Sequence, residues 1–164
     1  MRIISRIFGH SQNQIIELLE ASISQLKAGI FAKLSKKYIM VYGKEKGELL
    51  SAGIINNAFL ENQGNKKAEI FFQDNLSLIE KESLNISKNT EINRAFSYLY
   101  AAETIYQAFI TKELLSNRSR ELGERATLLS INIPNTYDIC GSNNIHECVI
   151  AIMEYASKFF NDNK

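Results

Sequence analysis

Asp138, Cys140, His146, Glu147 and Cys148 fall within the eleven-residue stretch DICGSNNIHEC, which holds both cysteines and one of the two histidines of the chain. Residues of these types could bind a metal ion or supply a thiolate nucleophile. Zinc requires four ligands in a tetrahedron, usually drawn from pairs spaced as C-x2-4-C or H-x3-5-H. The spacing here is Cys140-x5-His146-x-Cys148. On a helix beginning near Asn144, His146 and Cys148 stand about 200° apart and face nearly opposite ways. A metal centre would therefore have to recruit Asp138, His10 or a distant carboxylate. The deaminase pattern H-x-E with a downstream P-C-x-x-C is absent as well. For a cysteine nucleophile, Cys140 beside Gly141 would need His146 or His10 as its base.

The same residues have a structural reading. Asn144 as N-cap, with Glu147 three positions on, makes a capping arrangement and sets a carboxylate at the positive end of the helix dipole. Cys148 then shares a register with Ile145, Val149, Ile152, Met153, Ala156, Phe159 and Phe160, where cysteine serves as a small buried hydrophobe. The expectation is a loop, a cap and a core helix, with no metal and no cofactor. Cys140, His146 and Cys148 are the candidates should a metal- or thiol-dependent enzyme prove correct instead.

Other motifs argue activities down. GKEKG at Gly43–Gly47 lacks the order of a phosphate loop and no buried strand precedes it, so it reads as a charged turn. No G-x-S-x-G, H-E-x-x-H or dinucleotide fingerprint occurs, and the paired E-x-x-H motifs of di-iron bundles are missing. Glu103 lies inside the most apolar helical segment. A buried acid there could be functional, but a partly exposed face, or pairing with an arginine such as Arg94, Arg118 or Arg125, is the simpler expectation. Arg118, Arg120, Glu121, Glu124 and Arg125 form a mixed-sign face with one helical i,i+4 pair, Glu121 and Arg125.

These residues need elements to hold them, and apolar spacing is helical nearly throughout. Ile15, Leu19, Ile23, Leu26, Ile30 and Leu34 recur every three or four positions. They predict a helix from Ser11, with Gln14 completing a capping box, to about Lys37. Residues 38–42 suit either a last turn or an extended piece. Further helices are predicted at 45–62, capped by Gly64, at 66–86, and at 91–115 behind Asn89 or Thr90. The last of these is apolar on two faces, which places it centrally. A continuation or separate helix reaches about Ile131, a non-helical stretch follows, and a final helix covers 145–160. The fold expected is all-α, a single-domain bundle of five or six mostly antiparallel helices over 1–164.

At 164 residues, 45% hydrophobic and 23% charged, the composition is that of an ordinary globular chain. A net charge of +1 gives no basic field for nucleic acid, and the pairs Lys36-Lys37 and Lys66-Lys67 read as solvated helix ends. Two cysteines without a secretory leader suggest a cytoplasmic setting. Lacking a convincing catalytic set, the chain reads first as a non-enzymatic interaction or regulatory module whose partner is another protein or itself. A third reading rests on RIISRIF: Arg2, Ile3, Arg6, Ile7 and Phe8 form a short basic, apolar segment suited to a partner groove or an anionic membrane surface, or to packing on the core.

Overall fold

The computed structural model describes residues 12–58, 66–86, 88–111 and 145–164. They form six helices and, among the described residues, no strand: α1 Gln12–Tyr42, α2 Lys44–Ala58, α3 Lys66–Asp74, α4 Leu76–Ile86, α5 Thr90–Thr111 and α6 Ile145–Asn163. The protein is an all-α helical bundle.

Helix α1 is the axis. Its 31 residues span about 46 Å at 1.5 Å per residue. The stripe Ile15, Leu19, Ile23, Leu26, Ile30 and Leu34 is buried along its whole length and continues into Tyr38. Full burial of such side chains contributes roughly 1.5–3 kcal/mol each, so this one face outweighs any exposed ion pair in the molecule. The helix packs against α2, α5 and α6. The helix now labelled α5 is buried on every side over residues 99–105, as its two apolar faces predict, and α1 shares the centre with it. Small residues on the flanks of α1 allow this: Gly29 lies directly under the Phe159 ring of α6. Residues 38–42 are helical, so α1 runs a full turn beyond Lys37.

At the end of α1 the chain reverses in one residue. Gly43 has φ of 88°, a left-handed conformation that glycine adopts without a Cβ penalty. Its N–H donates to the Ile39 carbonyl at 3.0 Å, and Lys44 already begins α2. The expected charged turn at 43–47 is thus a single turn residue followed by the first turn of a helix. Gly47 makes the tight hairpin possible. A Cβ there would sit 2.6 Å from Ile39 N and 2.7 Å from the Tyr38 carbonyl carbon, so the two helix backbones touch.

The helix expected over 66–86 is broken at Asn75 into α3 and α4. Asn75 donates twice to the Phe71 carbonyl, from its backbone N–H and from its side-chain Nδ2, both at 2.9 Å. A short amide side chain that bonds the local backbone competes with regular helix. Downstream, Ile79 is fully buried and reaches Gly53 of α2. Helix α5 starts where expected, with Asn89 Oδ1 accepting from the Ile92 N–H at 3.1 Å.

Polar pairs set the register of α5 on α1. Tyr106 donates to Glu20 at 2.9 Å, Lys27 pairs with Glu103 at 3.2 Å and Lys33 with Glu91 at 3.1 Å. Numbers rise on one helix as they fall on the other, so the two are antiparallel. Helix α6 closes the bundle by stacking Tyr155 on Tyr98 of α5, with centroids 3.9 Å apart.

Candidate functional site

The strongest concentration of buried polar chemistry lies where α4 meets the end of α1. Glu82 is only 6% exposed, yet it carries a carboxylate into the core. Tyr42, the last residue of α1, donates its hydroxyl to Glu82 Oε1 at 3.1 Å. Asn85 Nδ2 approaches Oε2 at 3.5 Å from one turn along α4. Tyr38, one turn before Tyr42 and 1% exposed, has its ring 6.2 Å from that of Tyr42. Its buried hydroxyl faces the same carboxylate but stops short of hydrogen-bond geometry. Burial, then the charge of Glu82, drives the Tyr38 phenol far above its ordinary range. Tyr42 is raised for the same reasons. Both phenols stay protonated at neutral pH, and Tyr42 is the one that donates to Glu82.

This cluster backs an open groove of about 580 Å³ lined by Tyr42, Gly43, Lys44, Glu45, Lys46, Leu49, Phe71 and Asn75. Three elements build it. The Gly43 reversal brings Tyr42 beside the start of α2, the α2 register turns Leu49 outward while burying Leu50, and the Asn75 break presents Phe71. A Glu45–Lys67 ion pair ties α2 to α3 on one rim. The Lys67 ammonium, first by hydrogen bond and then by charge, holds the Glu45 carboxyl below its usual range. Lys46 lies over the Tyr42 ring, 5.4 Å from its centroid. Ile70 and Leu76, chain neighbours of the lining residues Phe71 and Asn75, are 51% and 43% exposed.

The groove lining is mixed: Tyr42, Leu49 and Phe71 give it apolar surface among Lys44, Glu45, Lys46 and Asn75. Its phenol is committed to Glu82 and protonated, and its one lining carboxylate is paired with a lysine. That arrangement suits holding an apolar segment better than moving protons. No protein-family model matches the chain, nor does any curated protein or solved structure.

Buried hydroxyls elsewhere are satisfied within their own helices. Ser22, Ser51, Ser83, Ser97 and Thr104 each donate to the carbonyl four residues back, at 2.7–3.0 Å, which occupies the proton a nucleophile would give to a base. Glu103 is buried rather than partly exposed, and Lys27 of α1 pairs with it at 3.2 Å, a partner that sequence reading did not name. The reason is topological: α5 packs antiparallel on α1, which brings the Lys27 side chain across the seam.

Of the residues singled out by sequence, Cys148 lies fully buried with Val149, Ile152, Ala156 and Phe159, the register read for the core face. His146 is half-buried in the same first turn of that helix. Cys140 and Asp138 lie outside the described residues, as do His10 and the segment Arg2, Ile3, Arg6, Ile7 and Phe8, so the structure does not bring these together or apart. Among the described residues there is no cluster of three or more metal-ligating side chains. Likewise, no described helix is long and apolar enough to cross a membrane. Sequence reading missed the Tyr38–Tyr42–Glu82 cluster. The available signal was an acid in an apolar register, Glu82 three positions after Ile79 and four before Ile86.

Proposed function

We propose that this protein is a non-enzymatic helical interaction module that receives an apolar segment of another protein, or of a second copy of itself, in the groove between α2 and α3. The observation that carries this reading is the groove floor. Tyr42, Leu49 and Phe71 come from three separate helices and leave apolar surface accessible beside a rigid buried anchor. Clefts of a few hundred Å³ with an apolar lining and few polar groups are where ligands and peptide anchors bind.

The test is site-specific photocrosslinking from Leu49 in cells, with light scattering of the purified protein for self-association. The reading expects discrete adducts, or a concentration-dependent dimer, that Phe71→Asp removes while leaving the helical spectrum intact. A monomer that gives no adduct from Leu49 would overturn it. Adducts indifferent to Phe71→Asp would overturn it too.

A further inference from the structure

The two most exposed large hydrophobic residues described are neighbours, Met40 at 87% and Val41 at 64%. They fall on the solvent face of the last turns of α1, one helical turn after the exposed pair Lys36 and Lys37. Residues four apart share a helix face, so the lysine pair and the apolar pair form one stripe. Across the Gly43 reversal, Lys44 and Lys46 continue the basic edge, both exposed. The only carboxylates from 36 to 48 are Glu45, which Lys67 holds, and the half-buried Glu48. The hairpin tip is therefore an apolar wedge bracketed by lysines in a chain of net charge +1.

We propose that this tip is a peripheral contact for an anionic lipid bilayer, with an apolar pair outside the groove assigned above and two lysines, Lys44 and Lys46, shared with its edge. Charge complementarity selects an anionic occupant, and the shape selects a fluid one. Met40 and Val41 project outward and neither lines the groove; a bilayer closes over such a projection, whereas a folded partner needs a matching hollow. Lysine stems cover apolar surface while their ammonium groups stay at headgroup level. An apolar anchor with a basic patch gives reversible, salt-sensitive attachment.

The experiment is co-sedimentation of the full chain with vesicles of phosphatidylcholine alone or mixed with phosphatidylserine, at low and physiological salt. Binding is expected only with phosphatidylserine, weakening as salt rises. The combined Lys36→Gln, Lys37→Gln, Lys44→Gln variant should lose about a hundred-fold in partitioning, at about five-fold per lysine. Met40→Ser with Val41→Ser should lose about ten-fold, as expected for two partly inserted apolar side chains. These positions are solvent-exposed, so circular dichroism should be unchanged. The chain has no tryptophan, so Met40→Trp gives a unique reporter that should shift to the blue on anionic vesicles. No vesicle binding, binding unaffected by the tip substitutions, or an unshifted Met40→Trp emission would each overturn the proposal. Tip-dependent binding of an acidic peptide without vesicle binding would overturn it by reassigning the face to a protein.

Discussion

Substituting Gly47 by alanine tests the hairpin directly. The added Cβ would lie 2.6 Å from Ile39 N, 2.7 Å from the Tyr38 carbonyl carbon and 2.8 Å from Ile39 Cα. All three are backbone atoms, so no rotamer change relieves the clash and α2 must lift away from α1. Overpacking of this kind costs about 1–3 kcal/mol, and a backbone collision belongs at the upper end. Alanine recovers about 1 kcal/mol over glycine in a helix interior. The net expectation for Gly47→Ala is a loss of about 2 kcal/mol, a fall of roughly 4–8 °C in Tm for a chain of this size. Gly53→Ala supplies the contrast. Its Cβ would meet only the tip of the Ile79 side chain, at 3.3 Å, which can shift by a few tenths of an ångström. The propensity gain then dominates, and Gly53→Ala should be neutral or more stable by up to about 1 kcal/mol. Urea unfolding followed at 222 nm measures both. A Gly47→Ala protein as stable as wild type, or a Gly53→Ala protein that loses more, would refute the packing of α1 against α2 described above.

Three other outcomes follow from the buried groups. Lys27→Met should cost about 1–2 kcal/mol in urea unfolding, because it removes the ammonium paired at 3.2 Å with the buried Glu103 carboxylate; the figure sits below that for a fully buried pair since Lys27 is itself a quarter exposed. A double-mutant cycle with Glu103→Gln should return a coupling of about 1 kcal/mol between the two positions, and strictly additive losses would refute the pairing. For the tyrosines, burial, opposed in part by Arg94, pushes Tyr155 up to about 12, and Tyr38 is raised further by burial and Glu82. A phenol raised in the folded state binds more protons than in the unfolded state above pH 10. Stability is therefore complete below pH 10 and falls as pH climbs toward 12, to be checked by absorbance titration at the tyrosinate band alongside denaturation; phenols all titrating near 10 without unfolding would contradict the burial. Finally, in a Cys140→Ser background the Cys148 thiol, fully buried, should react with a thiol reagent only as fast as the helix opens, and reaction at the rate of a small free thiol would remove it from the core.

How much of this was legible in the sequence depends on range. The α1 stripe and the Cys148 register are local repeats of three or four residues, and the structure buries the stripe together with Cys148, Val149, Ile152, Ala156 and Phe159, with Met153 and Phe160 partly buried. Asn89 as a cap was legible because its acceptor serves an N–H three residues away. The Asn75 break was not, since neither glycine nor proline marks it and the signal is one amide competing for the Phe71 carbonyl. Lys27 with Glu103, and Tyr42 with Glu82, join helices far apart in the chain. Periodicity assigns each of those residues a face, but only the packing angle selects its partner. For the same reason the groove was invisible: Tyr42, Leu49 and Phe71 belong to separate stripes, and only the hairpin closure makes them neighbours.

That closure connects stability with both proposed surfaces. The left-handed Gly43 sets where α2 departs, and the bare Gly47 sets how near it returns. Together they hold Tyr42 against Glu82, open the groove on one side and leave Met40 and Val41 projecting on the other. A substitution at Gly47 that spreads the hairpin should move Leu49 away from Tyr42 and so weaken crosslinking from the groove. It leaves Lys36, Lys37, Met40 and Val41 in place, because these share a single helix whose own hydrogen bonds end at Gly43. The groove and the α1 part of the tip are therefore separable by one methyl group: the groove and its lysines Lys44 and Lys46 depend on the tertiary crossing of two helices, whereas Lys36, Lys37, Met40 and Val41 depend on the secondary structure of one.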